Sequence, residues 1–210
     1  MNQNNGHNSL GLDACFQDEG NPIVLFKKWF ADAEKSEIND PNALSVATSS
    51  LEGIPSVRMV LLKGLSDKGF VFYTNFNSKK GNDLRSNPNA SMCFHWKSIR
   101  RQVRVSGKVS AVDKDEADKY FNSRDYGSKI AAWASSQSKT MNSRNDFLNK
   151  VKEFEKKFPE KNNVPRPSHW SGWRVNPEQI EFWIEAKNRT HQRLNYVLKE
   201  GSWVKEVLYP

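Results

Sequence analysis

The chain has 210 residues, of which 37 % are hydrophobic and 27 % charged, and this composition belongs to a folded protein with a core, not to a disordered chain. No apolar run approaches the roughly 18 residues that a membrane-spanning helix needs, and the N-terminus lacks the pattern of a signal peptide, so we expect a cytoplasmic protein with no membrane partner. The formal net charge of +8 favours anionic partners, either nucleic acid or phosphorylated small molecules, and no block of five like charges supports the former.

The first predicted element is a helix that follows a polar arm. Residues 1–21 are polar and contain glycines, so we expect a mobile N-terminal arm there and a single domain over 22–210. After the arm, apolar residues recur with the spacing of one helical face, at Val24, Leu25, Trp29, Phe30 and Ala33. An Asp-Pro pair at 40–41 marks a turn before the first strand, which begins within ALSVATSS.

Four further strands are predicted from apolar alternation or continuous apolar runs, over 55–64, 69–75, 90–96 and 101–112. The strand over 55–64 is apolar on both faces, so we expect it to be buried. A short helix over 78–88, closed by an Asn-Pro pair, separates the second of these strands from the third.

The middle of the chain is predicted to be helical and the end to be β-structure. Three helical segments cover 113–124, 127–138 and 143–158, and the first starts with acidic residues that suit a helix N-terminus. Strands are then predicted from SGWRVNP, QIEFWIEA, NRTHQRLNY and WVKEVLYP. Short antiparallel strands interrupted once by helices predict a mainly β protein with α-helices, in which a closed or partly closed β-barrel has helices packed outside.

Cations and hydroxyls cluster at two strand ends. Arg58 and Lys63 stand near the ends of one strand, where they either hold an anion at the barrel rim or extend to water. Ser78, Lys79 and Lys80 stand where a strand passes into a helix, and exposed backbone N–H groups at a helix start favour phosphate. Solvated lysines in a turn would give the same pattern.

A phenol, a guanidinium and a hydroxyl recur every four residues at Tyr120, Arg124 and Ser128. On one helix they would form a column suited to a phosphate monoester, although the same spacing fits an exposed helical stripe. The glycine at 127 also allows the helix to end before the column is complete.

Near the C-terminus, Arg189, His191 and Arg193 occupy every second position. If this segment is a strand, all three side chains point to one face. That face is either solvated or meets an anionic group.

Several common catalytic centres are missing from the sequence. Cys15 and Cys93 belong to no C-x-x-C motif, and the four histidines lack metal-ligand spacing, so we expect neither a disulfide framework nor a metal ion. There is no phosphate-binding loop of the G-x-x-x-x-G-K-[ST] type and no G-x-S-x-G nucleophile motif. The sequence has cations that suit a phosphate group but no recognisable nucleophile, and this combination indicates that a cofactor performs the chemistry.

The sequence resembles the pyridoxine/pyridoxamine 5′-phosphate oxidase family over about residues 22–210. The resemblance rests on ordered blocks, namely RMVLLKG, GFVFYTN, SKKGNDLRSNP, RQVRVSG, YFNSR, GSKIAAWASSQS, VPRPSHWSGWRVNPEQIEFW and RTHQRL. It implies an FMN-binding split β-barrel that works as a homodimer with FMN at the interface. It also implies oxidation of pyridoxine or pyridoxamine 5′-phosphate to pyridoxal 5′-phosphate, with O₂ as electron acceptor and H₂O₂ as product.

The resemblance also assigns roles to individual residues by position. The positions of FMN contacts are Arg58, Met59, Val60, Leu61, Leu62, Lys63, Tyr73, Thr74, Lys79, Lys80, Gln102, Gln137, Ser138, Trp183 and Arg193. The positions that hold the substrate phosphate are Lys63, Tyr120, Arg124 and Ser128. Arg189 and His191 would meet the substrate at the flavin as catalytic residues, and Asp40 matches a family residue near the active site.

The chain departs from the family pattern in two places. Lys79 stands where arginine is common, which keeps the charge but loses a bidentate grip on phosphate. The family's N-terminal Arg-x-x-Tyr element, which folds over the substrate, has no match in residues 1–21.

Two other functions remain as alternatives. A related FMN split-barrel oxidoreductase with a different substrate would account for the missing N-terminal element. A basic barrel that binds nucleic acid through aromatic and cationic residues leaves the ordered blocks unexplained, so we expect no nucleic-acid partner.

Overall fold

The computed structural model describes residues 7–210, and one antiparallel sheet organises them. Its strands are β1 (Ala43–Ser49), β2 (Pro55–Leu61), β3 (Gly64–Ser66), β4 (Gly69–Asn75), β5 (Asn89–Trp96), β6 (Arg101–Ala111), β7 (Trp170–Ile184), β8 (Gln192–Lys199) and β9 (Ser202–Leu208). The strand order is β2-β1-β5-β6-β7-β4-β3, and β8 and β9 continue from the second half of β7. The sheet curls into a half-barrel, which confirms the predicted fold class.

Five α-helices accompany the sheet, and each begins at a side chain that caps it. They are α1 (Pro22–Ser36), α2 (Lys79–Ser86), α3 (Lys114–Asn122), α4 (Tyr126–Ala134) and α5 (Arg144–Lys157). Their caps are Asn21, Ser78, Asp113, Asp125 and Ser143, and such side chains accept hydrogen bonds from otherwise unpartnered backbone N–H groups. Within residues 7–210, no helix is long and apolar enough to cross a membrane.

Helix α1 packs its apolar face on the sheet through aromatic contacts. The Phe26 ring lies 4.8 Å from that of Phe70 on β4 and 5.0 Å from that of Phe94 on β5. The Trp29 ring lies 5.1 Å from that of Phe182 on β7. Edge-on aromatic pairs at these distances add about 0.5–1.5 kcal/mol each to the burial of apolar area. A smaller buried cluster packs α3 and α4 around Phe121, Ile130, Val164 and Trp170.

Strand β7 is longer than the two strands that the sequence predicted there. It runs continuously through Pro177, and the pairing with β6 shifts register between Ser106 and Gly107. A Cβ atom at Gly107 would lie 2.0 Å from the carbonyl oxygen of Asn176, so glycine permits this close approach. A β-bulge accommodates the proline without ending the strand.

The N-terminal segment differs from the predicted mobile arm. Residues 1–6 lie outside the described residues, whereas Phe16 is fully buried with its ring 5.4 Å from Trp29. The indole of Trp29 donates a hydrogen bond to the Cys15 carbonyl at 2.7 Å, and the Tyr196 hydroxyl donates to the Glu19 carbonyl at 2.9 Å. The described part of the arm is therefore docked on the barrel, because its apolar residues complete the core. All nine strands share one sheet, which supports our proposal of a single domain after residue 21.

Strand β2 is not buried as predicted. Its side chains alternate as expected, with Arg58 and Val60 half-buried on one face. On the other face, Val57 and Met59 are 67 % and 66 % exposed. β2 is an edge strand that pairs with β1, and the exposure of Val57 and Met59 shows that little of the described chain packs on this face.

Candidate functional site

A cavity of about 480 Å³ opens between β2, β4 and the helices α3 and α4. We call it the main cavity. The predicted site residues that line it are Met59, Val60, Leu61, Lys63, Tyr73, Thr74, Lys80, Tyr120, Arg124, Ser128 and Gln137. Segments distant in sequence therefore supply one pocket, which contains most of the residues assigned by the resemblance.

Lys80 is a buried cation at one end of the main cavity. It is 7 % exposed, and its Nζ donates to Thr74 Oγ1 at 2.9 Å and to Gln137 Oε1 at 3.1 Å. Among the described residues, no carboxylate lies within 4.0 Å of this ammonium. Burial, assisted by the positive charge of Arg58, lowers the pKa of Lys80 to about 8. Such a group gains from an anionic ligand, because an opposite charge favours its protonated form.

Arg58 is fixed beside Lys80 by neutral oxygens. Its guanidinium donates to Thr48 Oγ1 at 2.8 Å and to Ser56 Oγ at 2.6 Å. Burial lowers the pKa of Arg58, and the charge of Asp83 opposes that effect. The Thr48 hydroxyl donates in turn to Asp83 Oδ2 at 2.7 Å, so the buried carboxylate orients Arg58 through a hydroxyl.

Three further predicted residues near this end do not line the cavity. The half-exposed ammonium of Lys79 lies 3.3 Å from Asp83. The Leu62 side chain is buried in the core. Ser138 is exposed in the loop after α4, where its backbone has φ = 70°.

Tyr120, Arg124 and Ser128 meet at the main cavity without forming one helical column. Tyr120 belongs to α3 and Ser128 to α4. Asp125 accepts a hydrogen bond from the Ser128 backbone N–H at 2.8 Å and so caps a new helix. The column prediction was wrong, since the capping aspartate separates the two helices, but the cavity still collects all three side chains.

Arg124 presents an unused donor to the site. Its Nη1 atom is buried and has no hydrogen-bond partner among the described residues. Its guanidinium carbon lies 4.7 Å from the centre of the Trp170 ring, and burial lowers the pKa of Arg124. Buried polar groups are normally satisfied, so this donor indicates a place for a ligand acceptor.

An aromatic wall, formed by Tyr73, Tyr120 and Trp170, borders the cavity. The rings of Tyr73 and Tyr120 are 3.9 Å apart, and those of Tyr73 and Trp170 are 5.3 Å apart at an interplanar angle of 11°. Burial raises the pKa of Tyr73 to about 12, so its hydroxyl stays protonated at neutral pH and can donate a hydrogen bond. Trp170 was not predicted as a site residue, although its position beside His169 is visible in the sequence.

A second group of predicted residues forms a row across the sheet. Gln102 pairs with Trp183, and Trp183 pairs with Arg193, on β6, β7 and β8. The ring of His191 lies 4.7 Å from that of Trp183. Among the described residues this row, Gln102, Trp183 and Arg193, is separate from the lining of the main cavity.

Arg193 is held in place by a buried carboxylate. Glu181 is 3 % exposed and accepts from Arg193 Nε at 2.9 Å and from Arg193 Nη2 at 3.1 Å. Arg104 donates to the same carboxylate. Burial would raise the pKa of Glu181, but hydrogen bonds from both arginines bring it below its usual value.

The segment before β8 is a turn and not the predicted strand. Lys187–Arg189 forms a 3₁₀ turn, and Asn188 and Arg189 have φ values of 54° and 62°. The Ala186 backbone N–H donates to His191 Nδ1 at 3.2 Å, so neutral His191 carries its proton on Nε2. The prediction that strand alternation aligns Arg189, His191 and Arg193 was therefore wrong, because the left-handed residues break the alternation.

Asp40 lies in a second cavity of about 480 Å³, together with His95 and Gln102. Its backbone has φ = 44°, at the turn that precedes β1. Met59 lines both cavities, so they adjoin at the exposed face of β2.

Comparison with known proteins gives a consistent result over nearly the whole chain. The family model described as pyridoxamine 5′-phosphate oxidase matches residues 30–158, and that of the pyridoxine 5′-phosphate oxidase C-terminal dimerisation region matches 170–210. The pyridoxine/pyridoxamine 5′-phosphate oxidase of Pelagibacter ubique is 55 % identical, over 98 % of this chain and 100 % of that protein. The enzyme of the same name from Agrobacterium fabrum is 49 % identical, over 93 % of this chain and 95 % of that protein.

Solved structures share the fold. PhzG from Burkholderia lata 383, in complex with tetrahydrophenazine-1-carboxylic acid, has a TM-score of 0.88 and 28 % identity, covering 98 % of this chain and 100 % of that one. A pyridoxamine 5′-phosphate oxidase-related, FMN-binding protein from Nostoc punctiforme has a TM-score of 0.70 and 16 % identity, covering 88 % of this chain and 97 % of that one.

Proposed function

Because the chain belongs to the pyridoxine/pyridoxamine 5′-phosphate oxidase family, whose members are FMN-dependent oxidoreductases, we propose that it converts pyridoxine or pyridoxamine 5′-phosphate to pyridoxal 5′-phosphate. In the reaction the substrate carbon that becomes the aldehyde loses two electrons and O₂ gains them as H₂O₂. With the amine substrate, water supplies the aldehyde oxygen and ammonia leaves.

The residues at the main cavity fit a bound FMN. The observation that carries the proposal is Lys80, a buried cation without a counter-anion among the described residues, beside the fixed guanidinium of Arg58. These two charges, with the Thr74 hydroxyl and the Gln137 amide, suit the FMN phosphate. When bound, FMN supplies the acceptor for the substrate's hydride.

The other phosphate is that of the substrate. We assign it to Arg124, whose buried Nη1 atom lacks a partner among the described residues, together with Tyr120, Ser128 and Lys63. A guanidinium can donate two parallel hydrogen bonds to a phosphate, which fixes its orientation as well as its affinity. Two anion sites in one cavity suit a phosphorylated cofactor and a phosphorylated substrate bound side by side.

We further propose that a second copy of the chain completes the site. The row formed by Gln102, Trp183 and Arg193 belongs to the FMN contacts by position but lies apart from the main cavity in the described chain. Residues 170–210 match a dimerisation region, and the outer face of β2 is apolar and exposed. In a homodimer the row of one protomer would complete the main cavity of the other.

The dimer proposal predicts the effect of a charge on β2. Val57→Asp should convert the dimer to monomers and reduce FMN binding, because burying an unpaired carboxylate in an interface is costly. Light scattering coupled to size exclusion measures the mass, and fluorescence titration measures the flavin. The matched control is Leu148→Asp on α5, at a residue that is 40 % exposed. A Val57→Asp protein that remains dimeric would place the interface elsewhere.

A second prediction concerns the ion pair behind Arg193. Glu181→Gln should raise the dissociation constant of FMN about tenfold, since a charge-assisted hydrogen bond contributes about 1.5–3 kcal/mol and Arg193 would lose its fixed orientation. Flavin fluorescence titration measures the constant. Arg104 is the other partner of the Glu181 carboxylate and is half-exposed. Arg104→Gln should therefore reduce FMN affinity less than Glu181→Gln does. Unchanged affinity in a folded Glu181→Gln protein would remove Arg193 from the FMN site.

The activity itself is tested by spectroscopy of the purified protein under air. We expect a bound-flavin spectrum and, after addition of pyridoxamine 5′-phosphate, accumulation of pyridoxal 5′-phosphate and H₂O₂ in equal amounts. Bound flavin without turnover on either phosphorylated vitamer would favour a related oxidoreductase with another substrate. Absence of flavin binding, even with added FMN, would contradict both functions.

A further inference from the structure

Arg124 is held by aromatic faces and not by a carboxylate. Its guanidinium carbon lies 4.7 Å from the Trp170 ring centre and 5.7 Å from that of Phe121. Within residues 7–210 it forms no ion pair, and its Nη1 atom has no hydrogen-bond partner. An aromatic face attracts a cation without occupying its N–H donors, whereas a carboxylate would occupy them and neutralise the charge.

Trp170 is itself rigidly placed. It is 6 % exposed at the start of β7, and its carbonyl accepts a hydrogen bond from Arg166 Nη1 at 2.7 Å. The Nε atom of Arg166 donates to Asp118 on α3 at 2.6 Å. Arg166 therefore links Trp170, the first residue of β7, to α3, the helix that carries Tyr120.

The same indole also aligns Tyr120. The Tyr120 ring is nearly parallel to that of Trp170, with an interplanar angle of 8° and ring centres 6.1 Å apart. Tyr73 stacks on Tyr120 at 3.9 Å. One indole plane therefore sets the orientation of a guanidinium and a phenol at the same cavity.

We propose that Trp170 is a positioning residue that makes the site selective for a phosphorylated ligand, an inference that rests on the proposed function. Its face holds Arg124 without engaging the N–H donors, of which Nη1 has no hydrogen-bond partner within the described residues, and it aligns Tyr120 beside them. Two donors held in this geometry recognise a phosphate without a reorganisation cost. The same pocket without the indole would still admit the ring of the ligand but would discriminate poorly between a phosphate ester and an alcohol.

The test compares the FMN-loaded protein's binding of pyridoxal 5′-phosphate with its binding of pyridoxal, by calorimetry. In Trp170→Leu we expect the preference for the phosphorylated ligand to fall about tenfold, in line with a desolvated cation–π contact, while FMN affinity changes less than twofold. Combined with Arg124→Met, the Trp170 substitution should cause a clearly smaller loss than it does alone, because most of its effect acts through Arg124 and only the alignment of Tyr120 remains to be lost. An additive double variant, or an unchanged preference, would overturn the proposal.

Trp133→Leu is the matched control. Trp133 also has a cation near its ring, Lys157 at 5.6 Å, but it does not line the main cavity, so its loss should leave the preference unchanged. If Trp170→Leu does not fold, Trp170→Phe keeps a weaker aromatic face and should lose about threefold in preference; a folded Phe variant with the full preference would then contradict the proposal. A wild-type protein that binds FMN but does not distinguish the two ligands would instead contradict the proposed substrate class.

Discussion

Lys80→Met should weaken FMN binding by roughly 30- to 150-fold, because it removes a buried ammonium whose charge-assisted hydrogen bond to phosphate contributes about 2–3 kcal/mol. The ammonium is held on Thr74 and Gln137 with no carboxylate among its contacts in the described chain. Methionine has a similar length and no charge, so it preserves packing while removing the interaction. Fluorescence titration of the FMN-free protein measures the change.

The same substitution should stabilise the protein when FMN is absent. The pKa of Lys80 is about 8 in the folded chain against an ordinary value of 10.5, so charging this group costs folding free energy. A difference of this size corresponds to about 3 kcal/mol at neutral pH, and the loss of hydrogen bonds from Lys80 to Thr74 and Gln137 reduces the gain. We therefore expect the FMN-free variant to melt at a higher temperature than the FMN-free wild type, and we expect saturating FMN to raise the melting temperature of the variant less than it raises that of the wild type.

The pH dependence of the wild type follows from the same shift. Between about pH 8 and 10.5, Lys80 is protonated more often in the unfolded chain than in the folded chain. The free energy of unfolding of the FMN-free protein should therefore increase as pH rises through this window. FMN binding shows the opposite trend. It requires the charged ammonium, so the affinity should fall as pH rises above about 8.

Lys79→Met is the control for these measurements. Lys79 is adjacent in sequence but half-exposed, and its ammonium lies 3.3 Å from Asp83. Its loss should reduce FMN affinity much less than the loss of Lys80 and should not raise stability. If Lys80→Met binds FMN as tightly as the wild type does, the assignment of Lys80 to the FMN phosphate is wrong.

Local patterns in the sequence were sufficient for most of the fold. Strand β4 was predicted with its observed bounds, since GFVFYTN is a continuous run of strand-forming residues between turns. Helix α2 was predicted from the Asn-Pro pair that closes it, and the structure adds Ser78 as the cap at its start. These signals are short-range, and the tertiary structure did not override them.

One error occurred where distant residues decide the conformation, and another where a local contact with the backbone breaks the alternation of side chains. The β7 bulge depends on Gly107 of β6 facing the β7 backbone, and the turn at Asn188 and Arg189 is closed by His191 accepting from the Ala186 backbone. Neither contact can be recognised from the alternation of nearby side chains. The contribution of Trp170 was missed for the same reason, since it touches Arg124 only after the two segments fold together.

Arg189→Ala should lower kcat/KM for pyridoxamine 5′-phosphate by roughly two to three orders of magnitude, which is the range of rate that substrate positioning and preorganised charge supply. Arg189 lies at the end of a turn in which two successive residues have left-handed backbone conformations. A conformation of this kind costs about 1–2 kcal/mol per residue for a side chain other than glycine. We propose that this turn directs the guanidinium to the substrate. Alanine is subject to the same backbone constraint as arginine, so the turn should persist.

The FMN content of the variant distinguishes this role from a general loss of structure. Arg189 forms no hydrogen bond or ion pair through its side chain within the described residues, so its removal should leave FMN bound and the melting temperature within about a degree. Lys187→Ala removes a neighbouring cation from the same turn and should retain nearly full turnover. If Arg189→Ala loses FMN and regains full turnover when FMN is added back, the residue binds the cofactor and the substrate role is wrong. Retained FMN with turnover lost would place the partner protomer's turn over the substrate, because within one chain Arg189 does not line the main cavity.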